Sequence, residues 1–387
     1  MVEGATGLKF KSPPKVETRT RDELRAFLET KFNEDQPALE LAGQERAYKL
    51  FGVLPDSLEL REFLLKLLGE QVVGYYDPAT KVLYVVSGEG GAAPPPEVLN
   101  VTITHELVHA LQDQYLPLDS IAKLRHDNDR VMAAQAVIEG GATYEQLSVM
   151  LGGASLAARM PGGWDRVRQT IRDAQAMMPV FATAPMFIQE TLLFPYLSGA
   201  EFVRQFKARR PGVSPLTALP VSTEQVLHPG RLLDSLELPV SVALPRPASG
   251  SIVYEGGLGE FETRLVLHQF LRNAESAARG ADGWAGDRFY VVSVGGGAAL
   301  AWLTVWDSQF EAAEFRDLLA RAVAVKAERD DDEIGEGRVL RLTGKGRQHE
   351  LTAVTVQGRA AVLYVDAPAG APTKLVDLAR VRLGGAP

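Results

Sequence analysis

The chain has 387 residues, 46% hydrophobic and 23% charged, a balance that fits a globular protein and excludes a disordered or collagen-like one. Its 41 Lys+Arg against 49 Asp+Glu give a formal charge of −8, which argues against broad nucleic-acid binding, because that needs a cationic footprint. There is no cysteine, so disulfide scaffolds, thiolate zinc sites, iron–sulfur clusters and cysteine nucleophiles are excluded together.

No apolar run approaches the roughly 18–20 residues of a membrane span, so a soluble protein is expected, either cytoplasmic or secreted. Residues 1–20 lack the continuous apolar core of a signal peptide and are expected to be an extended entry carrying Pro13 and Pro14. Helical periodicity runs from Arg21 to Phe32 and from Glu45 to Leu68, with a break near Pro55. The period then changes to strand. Val72–Tyr76 and Lys81–Val86 flank Asp77-Pro78-Ala79-Thr80, whose Asp and Pro are type I turn chemistry, so a hairpin is predicted.

Pro96 and Glu97 suit a first helical turn, and that helix should run to about Tyr115. A long helix is predicted over Asp127–Leu151, and further helices near 164–176, 184–193 and 198–209. The Pro-rich stretch 211–247 reads as irregular around one short helix at Thr223–Leu227. Helix returns from Gly256 to about Arg279 after a glycine-bearing turn.

The last hundred residues change character. Strands are predicted at Phe289–Val294 and Ala299–Trp306. A helix follows, opened by Ser308 with Glu311 three later, a capping-box pattern. Strands near 338–343, 350–356 and 360–365 and a terminal helix from about Thr373 complete a ββαβββα order. The fold class expected is α+β: a helix-rich domain with a small β-hairpin sheet over 21–249, then an α+β domain over 250–387 with helices on one face of an antiparallel sheet.

The segment that carries chemistry is His105-Glu106-Leu107-Val108-His109. Residues four apart share a helix face, so both imidazoles can address one metal ion, and Glu106 can reach water on it. This is the H-E-x-x-H logic of a zinc hydrolase. Its helix is apolar, and two histidines and a glutamate in such a helix need a partner. A third histidine six residues after His109 is absent, because position 115 is Tyr. The third ligand is therefore sought as a carboxylate on a later helix. Glu139 is the choice, a lone charge within Ala134–Ala142; Glu145, His126 and Asp129 are competing ligands. Gly140 and Gly141 would allow that helix to approach the zinc helix closely.

On these residues the chain resembles a gluzincin-type zinc metallopeptidase, and more closely a group of poorly characterised bacterial metallopeptidases. The recurring segments are Gly74-Tyr75-Tyr76-Asp77-Pro78, the stretch from His105 to Gln114, Glu139-Gly140-Gly141-Ala142, Phe194-Pro195-Tyr196, Ser222 to Pro229, and Gly283-Trp284-Ala285-Gly286-Asp287. The resemblance implies a zincin-like peptidase domain over 21–249, Zn2+ on His105, His109 and Glu139, Glu106 as general base, and a peptide or protein substrate. The better-known gluzincins carry Asn before the ligand glutamate and Asp four after it. Here those positions are Ile138 and Thr143, so the groups orienting the histidines must lie elsewhere, with Asp113 the nearest candidate.

His228, at the end of a short helix before Pro229, is expected to stabilise the oxyanion as a cationic imidazole; Tyr75, Tyr76, Tyr144 and Tyr196 compete for that role. His268 reads as a packed histidine, and His349 is given no role. Trp302 and Trp306 read as one buried sheet face. The acidic run 330–333 reads as a solvated loop. Two other readings remain at this stage: a zinc hydrolase of a non-peptide substrate, and a binding protein with a vestigial zinc site.

Overall fold

The computed structural model describes residues 1–35, 37–87, 95–122, 127–152, 163–295, 297–329 and 337–385. His126 and the acidic run 330–333 lie outside them. The entry is not simply extended. It begins with a short helix, α1 (Val2–Thr6), closed by Gly7 in the left-handed region at φ 75°. Strand β1 (Lys15–Arg19) then runs parallel to a strand of the hairpin. Helices α2 (Arg21–Asp35), α3 (Ala38–Phe51) and α4 (Leu60–Gln71) follow.

The expected hairpin is β2 (Gly74–Asp77) and β3 (Val82–Val86), in a three-stranded sheet of order β1-β3-β2 that leaves β2 at an edge. Its turn is held by Asp77, whose carboxylate accepts from Ala79 N at 3.1 Å and Thr80 Oγ1 at 2.9 Å. Helix α5 (Pro96–Asp113) carries the H-E-x-x-H segment. After α6 (Asp119–Ala122) comes α7 (Asn128–Met150), capped by Asp127, which accepts from Arg130 N. Then come α8 (Gly163–Ala176), α9 (Pro179–Ala182) and α10 (Met186–Arg209).

The two helices predicted over 184–209 are thus one, passing through Pro195. A helical proline removes one backbone bond and normally breaks a helix. Here both halves are held by burial of Phe187, Phe194, Leu197, Phe202 and Phe206. Helix α10 packs on α7 at near-backbone contact. A Cβ on Gly140 would lie 2.1 Å from the carbonyl carbon of Gly199, and one on Gly199 would lie 2.1 Å from the carbonyl oxygen of Ala136. Gly140 therefore serves the α10 contact. Gly141 faces α5, where its missing Cβ leaves room for the Gln112 amide.

Short helices α11 (Thr223–Leu227) and α12 (Gly230–Leu233) lead through β4 (Ser241–Ala243) to β5 (Ser251–Gly256). The helix expected over 256–279 is divided into α13 (Gly259–Leu271) and α14 (Ala274–Ala281), because Arg272 turns left-handed and Asn273 caps anew through Ser276 N. Next are β6 (Trp284–Val294), β7 (Gly297–Trp306), α15 (Gln309–Ala327), β8 (Val339–Gly344), β9 (Arg347–Val356) and β10 (Arg359–Pro368). Ser308 caps α15 as its sequence pattern requires. The terminal helix is absent. Its residues form a 3-10 turn capped by Asp377 and then β11 (Arg382–Gly384), which pairs with β4.

The fold is α+β. The large sheet is antiparallel, of order β5-β6-β7-β10-β9-β8. Helices α3, α13, α14 and α15 cover one face, and β4, β11 and the tail segment cover the other. Trp302 and Trp306 are fully buried on the helix-covered face, as their even spacing implied. A helix from the first half is part of this packing. Phe51 of α3 meets Phe289 and Trp302 edge-on at 5.2 Å, and Lys326 Nζ of α15 donates to the Leu50 carbonyl. The seam near residue 250 is therefore bridged by core contacts.

Carboxylates are also buried along that seam. Asp287 accepts from Leu258 N, Gly259 N, Trp284 Nε1 and Trp302 Nε1, which fixes the start of α13. Asp129 at the start of α7 accepts from the amide and hydroxyl of Thr223. Glu262 accepts from the Tyr48 hydroxyl at 3.0 Å.

Two predictions arise from this packing. Gly199→Ala should overpack the α7–α10 contact and cost about 1–3 kcal/mol, seen as a lower urea midpoint. Burial, with the charges of Asp129 and Asp287 adding, pushes Glu262 from an ordinary 4.5 up to about 8, the Tyr48 bond opposing. Its folded value lies above its unfolded one, so the folded chain binds the extra proton between those limits. Stability from this group is present in full below pH 4.5 and is lost as pH rises through about 8. Urea unfolding at a series of pH values should show that decline, and Glu262→Gln should flatten it.

Candidate metal centre

Helix α5 places His105 and His109 on one face, their rings edge-on at 4.7 Å. Glu139, near the middle of α7, meets both. Its Oε2 lies 3.3 Å from His105 Nε2 and 3.3 Å from His109 Nε2. One donor atom from each of the three falls within 4.8 Å of the others, and among the described residues this is the group able to hold a metal ion. All three residues precede residue 250.

The donor set fits a zinc-type ion chemically, since two imidazole nitrogens and a carboxylate leave one tetrahedral position open. The ring tautomers fit as well. His109 Nδ1 lies 2.9 Å from Gln112 Oε1, and His105 Nδ1 lies 3.2 Å from Gln146 Oε1. An amide oxygen only accepts, so each Nδ1 carries a proton, which leaves each Nε2, the atom that meets Glu139, as the one available to a metal ion. The amides are themselves fixed: Gln112 Nε2 donates to the Ile138 carbonyl at 2.9 Å and Gln146 Nε2 to the Val101 carbonyl at 3.2 Å.

Burial would lower the pKa of His109, but the Glu139 charge and hydrogen bond outweigh it and raise it to about 9. Glu139 is held well below the carboxylate range, the two histidines overcoming its burial. Glu106 is buried next to the pair. One of its oxygens accepts the backbone N–H of Tyr76 at 2.8 Å. Burial raises its pKa while His109 and His105 restrain the rise, which moves a carboxylate toward the range useful for proton transfer near neutrality.

These groups open onto a cavity of about 580 Å3, a size typical of small-molecule and peptide sites. Tyr196 of α10 stands at its edge, 36% exposed, with its ring 6.2 Å from that of His105. Its hydroxyl lies close enough to Glu139 to feel that charge. The charge of Glu139, then burial, then Glu106 hold its pKa well above the usual phenol value.

Of the other residues singled out in the sequence, Tyr75 and Tyr76 line the cavity and most of the rest lie elsewhere. His228 is not beside the metal group. Its helix α11 starts at Thr223 against Asp129, and Asp129 is ten residues before Glu139, about 15 Å along α7. Its ring engages Glu260 at 2.9 Å and lies 3.7 Å from Asp282. Of the competing ligands, Glu145 pairs with Lys207 and Asp129 with Thr223. Asp113 orients no histidine; it accepts from the Tyr76 hydroxyl at 2.8 Å and pairs with Lys81. Tyr75 lines the cavity with its hydroxyl accepting from Arg19 at 2.6 Å, and Tyr144 stacks on Trp164. His268 is half-buried on α13, and His349 is buried against Tyr364.

Gln112 and Gln146 are the residues that sequence reasoning missed. Their signal was present: Gln112 follows His109 by three and Gln146 follows Glu139 by seven, so each shares a helix face with its ligand.

Residues 251–377 match a family described as a domain of unknown function (DUF8575). No curated protein and no solved structure matches the chain. No helix among the described residues is long and apolar enough to cross a membrane.

The two amides give a direct prediction. Gln112→Met and Gln146→Met should each weaken zinc binding by about 10–100-fold while the fold persists. Competition against a chromophoric chelator measures this. Affinity equal to the parent's in both variants would remove the orienting role.

Proposed function

We propose that the protein is a zinc-dependent peptidase of gluzincin type. The observation that supports this best is the convergence of His105, His109 and Glu139 on one point, with the buried carboxylate of Glu106 beside it and an open strand edge next to that carboxylate. His105, His109 and Glu139 would hold the ion. When bound, zinc supplies Lewis acidity and lowers the pKa of water. The rest of the chemistry belongs to the chain. Glu106 takes a proton from the attacking water and delivers it to the leaving amine. Its bond from Tyr76 N keeps one oxygen fixed while the other moves the proton. Tyr196 takes over the oxyanion role first given to His228, donating its hydroxyl to the oxygen that gains charge.

Strand β2 offers the substrate backbone a partner. The Tyr76 N–H points away from β3 to Glu106, so the backbone groups of Gly74, two residues along, face the same outer side, while Val73 and Asp77 bond toward β3. An extended peptide can add there as a further strand, in register with Glu106.

The test has three arms. Elemental analysis should find about one zinc per chain, removable by chelators. A peptide library digested by the parent and read by mass spectrometry should show cleavage. Glu106→Gln should keep zinc yet lose activity by about 10²–10⁴-fold, and Tyr196→Phe by about 10²–10³-fold, while His228→Ala stays close to the parent. A parent that binds zinc and hydrolyses only non-peptide substrates would overturn the peptidase reading. A parent that hydrolyses nothing would point to a zinc site without catalysis. Equal cleavage by parent and Glu106→Gln would show that the activity is foreign to this site.

A further inference from the structure

The cavity does not end at the metal group. It continues along α7, where Asn128, Val131, Gln135 and Ile138 line it at three- and four-residue spacing, the stripe that Glu139 joins. From Glu139 to Asn128 is eleven residues, about 16 Å of helix. An extended polypeptide covers that distance in about five residues at roughly 3.3 Å each.

The far end is closed by a residue from the region of unknown function. Tyr254 of β5 lines the cavity there, half-buried. Its ring lies on the backbone of α3: a Cβ on Gly43 would come within 2.7 Å of it. The same end is tied together by hydrogen bonds from three elements. Asn128 Nδ2 of α7 donates to the Tyr48 hydroxyl of α3 at 3.3 Å, and that hydroxyl donates to Glu262 of α13 at 3.0 Å. Tyr254 is thus held in place by the packing that joins the two halves of the chain. Beside it, Leu41 and Val131 line the cavity together with the polar Glu40, Gln44 and Asn128, so the Tyr254 ring is the broad apolar surface at this end.

Resting on the peptidase reading above, we propose that residues 251–377 supply a distal specificity wall of the cleft, with Tyr254 receiving an apolar side chain of an extended polypeptide about five residues from the bond cleaved. This gives the region of unknown function a role in choosing substrates, and it makes the preferred substrate a long unfolded segment rather than a short peptide.

The experiment uses the full-length Glu106→Gln protein loaded with zinc, which holds peptides uncleaved. Binding of a fluorescent tetrapeptide and of a dodecapeptide with apolar residues at both ends is followed by anisotropy. The dodecapeptide should bind more tightly. Adding Tyr254→Ala should weaken the dodecapeptide by about five- to tenfold, the worth of one aromatic contact, and leave the tetrapeptide and the zinc content unchanged. Gln135→Trp, at an exposed position midway along the α7 stripe, should cause the same length-dependent loss by filling the arm. Equal loss for both peptides, or no loss for either in both variants, would overturn the proposal while leaving the peptidase reading intact. A zinc-loaded protein that binds neither peptide, and whose parent cleaves neither, would overturn that reading and this proposal with it.

Discussion

A carboxylate taken partly out of water on an apolar helix is costly unless charge or hydrogen bonds compensate it, and the placement of the half-buried Glu139 turns on that compensation. Two imidazoles from α5 provide it, each 3.3 Å away. The pairing requires α5 and α7 to pack at a fixed offset, and α7 in turn is pressed from its other side by α10. That second contact is made of backbone, at Gly140 and Gly199, with no side chain to rearrange. A rigid crossing of this kind sets distances on both sides of α7. It also brings Tyr196, one turn before Gly199, within reach of Glu139.

The legible part of this arrangement was the part encoded locally. The i, i+4 histidines, the turn at Asp77 and the cap at Ser308 each depend on residues within one turn of the chain. Glu139 was legible for a different reason, as a charge without local excuse in an apolar helix. The rest was hidden wherever tertiary packing overrode local preference. Pro195 reads as a helix break, yet burial on both sides carries α10 through it. The tail reads as a helix by periodicity, yet its backbone finds better partners in β4. His228 looked functional because its helix end favours a cation, but the buried carboxylate of Glu260 claims it. No local pattern shows that Glu260, thirty-two residues on, lies opposite.

The boundary near residue 250 shows the same limit. Composition changes there, from helix-rich to strand-rich, and the change in fold is real. Packing does not respect it. Helix α3 lays Phe51 on the large sheet, Lys326 reaches back to Leu50, and the buried Asp129 and Glu262 and the half-buried Asp287 lie where the halves meet. Buried carboxylates make poor glue, since each gives up water for a few hydrogen bonds. They make a specific junction, however, because Asp287 demands four donors and Asp129 two in one geometry. A slipped interface would leave those acids unpaired.

The choice of Gln112 and Gln146 to orient the histidines has a further electrostatic consequence. A carboxylate would fix the same tautomer and make the imidazole more basic. The enclosed site already holds Glu106 and Glu139, however, and like charges in a buried space raise each other's pKa. Two added aspartates would press hardest on Glu106, whose pKa burial already raises. It would then hold its proton and could no longer accept one. Neutral amides orient both rings without that penalty. They leave the negative charge where it is useful, on one group that faces the imidazoles and one that faces the strand edge.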